Sequence, residues 1–168
     1  MTRLRRLCAL GGLAFGLFLG SDAAAQVADR STRLARANED FQRGDHANAW
    51  FGFWGLAREG VPAAQFNLGQ FYREGIGIAA DLGFARYWYA EAAAQGHAFA
   101  QYNLGLMYER GDGTTPDRVE AKAWYRRAAA QDVPGARTAL ERLERPERSK
   151  RSEITPRGRL NGLAEAAR

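Results

Sequence analysis

The fold is decided by one stretch that occurs twice, as AQFNLGQFYREGIG at residues 64–77 and as AQYNLGLMYERGDG at residues 100–113. The repetition continues beyond each copy, because Asp81, Trp88 and Tyr89 all recur 36 residues later. A period between about 20 and 50 residues is the signature of a solenoid, in which each unit buries its apolar face against its neighbours. Solenoids of this kind generally present a binding surface rather than perform chemistry.

Weaker copies flank the two full repeats. Upstream, Phe41, Gly44 and Asp45 match positions of the full repeats, with a shorter loop. Downstream, Glu141 and Glu144 stand where the full repeats carry Gly and Tyr, and a polar change of this kind suits a terminal capping helix. The predicted solenoid spans 26–144, with a short unit at 31–60, full units at 61–96 and 97–132, and a capping helix at 133–144.

Each repeat is predicted to form two antiparallel helices, since Ala64, Leu68 and Phe71 recur at spacings of three and four. Asp81 and Asp117 occupy N-cap positions. The sequence therefore predicts an all-α protein with about seven helices. They are placed near 31–43, 46–59, 62–74, 82–95, 98–110, 118–131 and 134–144.

A glycine lies inside the first helix of each full repeat, at Gly69 and Gly105. Glycine in a helix costs roughly 1 kcal/mol relative to alanine, so its recurrence indicates a close helix–helix approach. We expect Trp88 and Trp124 to fill the adjacent space and to be buried between successive helices.

These positions combine into Ala-x-x-x-Leu-Gly-x-x-Tyr-x-x-Gly-x-Gly, then Asp, then Ala-x-x-Trp-Tyr-x-x-Ala-Ala. The pattern resembles the Sel1-like repeat, a relative of the tetratricopeptide repeat, over about residues 31–144. The resemblance implies a right-handed α/α superhelix whose curved groove binds proteins or peptides. Some bacterial members pair two cysteines within each repeat, whereas this chain resembles an exported bacterial type without repeat cysteines.

The first 25 residues are typical of a secretory signal peptide. Arg3, Arg5 and Arg6 precede an apolar segment over 7–19, and three alanines end at Ala25. Cleavage near Ala25 would place the chain in the periplasm or outside the cell, with no transmembrane segment left. An uncleaved membrane anchor is the alternative, although the apolar segment is short for a bilayer span. Export argues against nucleic acid as a partner.

The predicted mature chain has a neutral solenoid and a basic end. Residues 26–143 hold 14 basic and 14 acidic side chains, while 144–168 hold 7 basic and 4 acidic ones, a net charge of +3. The tail at 145–168 is predicted to be disordered. It could make a weak contact with an anionic partner of the envelope, or it could simply be a solvated charged segment.

The sequence contains few residues in patterns typical of catalytic sites. The single cysteine, Cys8, lies in the predicted signal peptide, and His46 and His97 have no partner at ligand spacing. His97 recurs as Val61 and Val133, which favours a structural role in a turn. No catalytic, cofactor-binding or metal site is therefore predicted. The favoured function is a non-catalytic scaffold or regulator of the bacterial cell envelope, and the alternative is a carboxylate-dependent hydrolase of a cell-wall polymer.

The resemblance also selects a binding surface. In tetratricopeptide arrays the first helix of each repeat lines the concave groove, at positions offset from its buried stripe. Two explanations remain open for the aromatic residues Phe66 and Tyr102. Their rings suit an anchor for a bound peptide, and they equally suit the core between units. The positions carried over to this chain are Phe66, Gln70, Arg73, Tyr102, Leu106 and Glu109.

Overall fold

The computed structural model describes the backbone of residues 11–145 and the side chains of residues 24–145. This part of the chain contains seven helices and no strand, which confirms the predicted all-α solenoid. Each helix packs against the helices before and after it in sequence. The helices are α1 (Gly11–Gln42), α2 (His46–Arg58), α3 (Pro62–Glu74), α4 (Leu82–Ala94), α5 (Ala98–Arg110), α6 (Arg118–Ala129) and α7 (Ala136–Glu144).

The first helix is much longer than predicted. The expected start near residue 31 is wrong, because α1 is continuous from Gly11 to Gln42. Ser31 and Thr32 do not cap a helix, since both hydroxyls donate back to the carbonyl of Ala28, at 2.8 and 2.9 Å. The alanine-rich segment before them has high helix propensity. No helix in the described part of the chain combines the length and apolar character that crossing a membrane requires.

One aspartate begins the second helix of each unit, as the sequence predicted for Asp81 and Asp117. The carboxylates of Asp45, Asp81 and Asp117 each accept a hydrogen bond from the backbone N–H three residues later. The backbone N–H of Asp117 donates to the carbonyl of Tyr108 at 2.7 Å. This bond joins the helix start to the preceding helix.

The first helices of the two full repeats end in the same way, whereas the helices that follow Val61 and Val133 begin differently. Gly75 and Gly111 end α3 and α5 in the left-handed conformation, with φ of 68° and 80°. Pro62 lies in the first turn of α3 as predicted. Pro134 does not begin α7, because Gly135 adopts φ of 82° and the helix starts only at Ala136.

A tyrosine fills the space beside the repeated glycine. The expectation that Trp88 and Trp124 fill it is therefore wrong. A Cβ on Gly69 would lie 2.5 Å from the ring of Tyr89, and one on Gly105 would lie 2.8 Å from the ring of Tyr125. Both tyrosines are fully buried. Trp88 is half-buried and packs instead against the apolar cluster formed by α1, α2 and α3.

A repeated glutamine connects consecutive units. Gln65 is buried, and its side-chain amide donates to the carbonyl of Ala57 in the preceding unit at 3.2 Å. Its oxygen accepts from Gln95 at 2.7 Å, so both ends of the amide are satisfied. The same arrangement recurs one repeat later with Gln101, Ala93 and Gln131.

The last helix closes the described solenoid. Its inner side buries Ala136, Ala139 and Leu143 against the preceding helices. Glu141 and Glu144 are exposed on its outer side, where the full repeats carry Gly and Tyr. This exposure is what a polar outer face on a capping helix requires.

Candidate functional site

The odd-numbered helices α3, α5 and α7 lie side by side on one side of the solenoid, here called the odd-helix face. At its first junction, the ring of Phe66 on α3 stacks on His97, with centroids 4.6 Å apart and planes 19° apart. Phe99 on α5 lies 6.5 Å from the same ring. The structure thus brings three aromatic side chains together between the two full repeats.

The predicted residues of the first repeat lie on α3 and are only partly exposed. Phe66, Gln70 and Arg73 are all half-buried. The ring of Phe66 lies 5.7 Å from that of Tyr89 and forms part of the packing around it. Arg73 pairs with its neighbour Glu74. Phe66 therefore supports the core and keeps part of its surface in contact with solvent.

The predicted residues of the second repeat converge on a pocket. Tyr102, Leu106 and Glu109 line a cavity of about 410 Å³ between α5 and α7. Tyr102 also packs against Tyr125, with ring centroids 5.7 Å apart. The remaining lining residues are Arg110, Gly135, Thr138, Ala139 and Arg142.

Glu109 mainly holds helices together. Its carboxylate accepts hydrogen bonds from the hydroxyl of Tyr125 on α6 and from the guanidinium of Arg142 on α7, both at 2.7 Å. Its side chain is 19 % exposed, against 60 % for Arg142. Burial, followed by the bond to Glu109, raises the pKa of Tyr125. The phenol therefore stays a hydrogen-bond donor at neutral pH.

Sequence reasoning missed Phe99 as a surface residue. Its side chain is 54 % exposed and stands next to Phe66 and His97. The equivalent positions in the other units hold Ala63 and Gly135, so the repeat pattern contains no signal for it. Only a direct search for large apolar residues outside the repeat consensus would have found this residue.

His97 has the structural role that the sequence favoured. Its Nδ1 accepts a hydrogen bond from the backbone N–H of Ala100 at 3.3 Å and so caps α5. Burial lowers the pKa of His97, which favours the neutral ring that can accept this bond. His97 therefore acts as the N-cap of α5.

Replacing His97 with valine, the residue of the equivalent turns, should reduce the dependence of stability on pH. Because the folded pKa of His97 lies below the unfolded value of about 6.5, its contribution is present above that value. It is lost as the pH falls and the unfolded chain binds the proton first. Urea unfolding between pH 7.5 and 4.5 should show a steeper loss for the parent than for His97→Val. Parallel curves would contradict the assignment.

The acidic groups with shifted pKa values are structural. The side chain of Asn48 lowers the pKa of Asp45, and the guanidinium of Arg33 lowers the pKa of Glu59. A general acid needs a raised pKa, which is the opposite direction. Within residues 24–145, no group of three or more His, Cys, Asp or Glu side chains is arranged to hold a metal ion.

Comparison with known proteins agrees with this architecture. The Sel1 repeat family matches residues 62–97 and 98–133, which coincide with the two full repeats to within one residue. The chain carries Sel1 repeats. Proteins built from Sel1 repeats are typically protein-interaction scaffolds.

Two solved structures show the same Sel1-repeat fold. A Sel1 repeat protein from Oxalobacter formigenes is 36 % identical, with a TM-score of 0.62 over 65 % of this chain and 45 % of its own. A protective antigen present in uropathogenic Escherichia coli strains is 31 % identical, with a TM-score of 0.65 over 71 % and 27 %. The chain thus spans less than half the length of either protein. No curated protein matches it significantly.

Proposed function

We propose that the chain is a non-catalytic scaffold or regulator of the bacterial cell envelope that binds a protein or peptide on its odd-helix face. The observation that carries this proposal is Phe99, which is 54 % exposed beside the supported ring of Phe66. Aromatic side chains held by a rigid core are common anchors of protein interfaces, because they bury a large area with little loss of conformational entropy.

The hydrolase alternative has less support from the geometry. A glycoside hydrolase of the common kind needs two carboxyl groups flanking the scissile bond, one of them with a raised pKa. Glu109 is the one carboxylate that lines the pocket, and it is engaged by Tyr125 and Arg142. The carboxylate of Glu109 is thus occupied in joining α5 to α6 and α7.

The envelope location is proposed from the first 25 residues of the sequence. Expressed in a Gram-negative host, the chain should appear in the periplasmic fraction and begin at Gln26 or within one or two residues of it. Cell fractionation followed by intact mass spectrometry measures both properties. Full-length chain retained in the membrane fraction would contradict cleavage and the proposed location.

A peptide library displayed on phage and selected on the purified full chain tests the binding function. Phe99→Ala should weaken binding of the selected peptides at least tenfold without changing the melting temperature, because the ring is exposed. Phe51→Ala is the matched control, since Phe51 is 65 % exposed and contacts Trp50 on α2. Equal binding by the parent and Phe99→Ala would contradict the proposed face.

A further inference from the structure

The pocket at the end of the odd-helix face exists because the last unit departs from the repeat. Four of its lining positions lie on α7 or just before it, and the same positions 36 residues earlier all lie on α5. In the last unit, three of these positions hold smaller side chains and the fourth holds a flexible arginine. This loss of bulk leaves the cavity of about 410 Å³. The pairs are Phe99 and Gly135, Tyr102 and Thr138, Asn103 and Ala139, and Leu106 and Arg142.

The pocket combines an apolar surface with positive charge. Leu106 and the ring of Tyr102 supply the apolar part. Arg110 is exposed and makes no ion pair within residues 24–145, whereas Arg142 shares its charge with Glu109. Two arginines against one glutamate leave a net charge of +1. A volume of this size falls in the range of about 300–1,000 Å³ that is usual for ligand pockets.

One peptide can reach both the pocket and the aromatic anchor. Phe99, Tyr102, Leu106 and Arg110 follow each other at helical spacings of three and four, so they form one stripe along α5. Eleven residues of helix span roughly 16 Å. An extended peptide covers that distance with about five residues.

We propose that this pocket determines which peptide binds, an inference that rests on the proposed function. The pocket binds an apolar side chain that is followed in the peptide by an acidic one. The apolar side chain packs on Tyr102 and Leu106. The carboxylate of the adjacent Asp or Glu pairs with the guanidinium of Arg110, which can bind both of its oxygens. A neutral or basic residue at that position leaves Arg110 unpaired.

The test uses three synthetic peptides derived from the tightest library sequence, with Leu-Glu, Leu-Gln or Ala-Glu at the pocket position. Fluorescence anisotropy with the full chain should show at least tenfold weaker binding for Leu-Gln and for Ala-Glu than for Leu-Glu. Arg110→Glu should abolish the preference for Glu over Gln. Thr138→Tyr, which places the ring of the preceding repeat at the pocket, should abolish the preference for Leu over Ala.

Arg137→Glu is the charge control, because Arg137 is 74 % exposed on α7 and does not line the pocket. It should leave the preference for Glu intact. Circular dichroism melts confirm that each variant is folded. If Phe99→Ala weakens binding but Arg110→Glu and Thr138→Tyr do not alter the preferences, the pocket assignment is wrong and the binding function stands. If no peptide binds the parent chain, both proposals are contradicted.

Discussion

Gly69→Ala is expected to destabilise the chain by about 2–3 kcal/mol, although alanine is the better helix former. The new Cβ would lie 2.5 Å from Cδ1 and 2.6 Å from Cε1 of Tyr89, whose side chain is fully buried. Because the ring is enclosed in a close-packed core, we expect α3 and α4 to separate. Urea unfolding monitored by circular dichroism measures the loss.

Gly55→Ala provides the control within a helix. Its Cβ would meet only the end of the Arg33 side chain, at 3.5 Å, which is ordinary contact. Without a clash, the gain in helix propensity should stabilise the chain by up to about 1 kcal/mol. Similar effects of the two substitutions would show that α3 and α4 are not in close contact at Gly69.

Tyr89→Ala should cost about 3–5 kcal/mol, since it empties a fully buried aromatic position. The adjacent Trp88→Ala should cost only about 1–2 kcal/mol, because part of the indole is already in water. Thermal or urea unfolding of the two variants ranks them directly. A larger loss for Trp88→Ala would reverse the assignment of the core residue and restore the expectation from sequence.

The sequence could predict the helices well because the repeat itself encodes them. The periodic apolar residues, the capping aspartates and the glycine at the end of α3 and α5 each act through contacts within a few residues. The predicted start of α1, near residue 31, was wrong for a related reason. The repeat resemblance begins near residue 31, and resemblance cannot show that an alanine-rich segment continues the helix upstream.

The side chain opposite Gly69 could not be chosen from sequence. Trp88 and Tyr89 recur together, so both satisfy the repeat pattern. Adjacent residues on a helix point in directions about 100° apart, and only the rotation of α4 against α3 decides which one meets the glycine. The structure selects Tyr89, and it places Trp88 against the apolar cluster formed by α1, α2 and α3.

The candidate site was predictable in position but not in detail. The offset from the buried stripe identified Tyr102, Leu106 and Glu109, which the structure brings together in one pocket. The pocket itself depends on the absence of bulk at Gly135 and Thr138, outside the two full repeats. The engagement of Glu109 by two donors depends on tertiary contacts that no local pattern encodes.

The most direct test of the proposed binding face is an NMR titration of the isotope-labelled full chain with the tightest selected peptide. Backbone and side-chain shifts should change mainly along α5 and the facing parts of α3 and α7, around Phe66, Phe99 and Tyr102. Shifts confined to α2, around Phe51 and Trp54, would contradict a binding site on the odd-helix face.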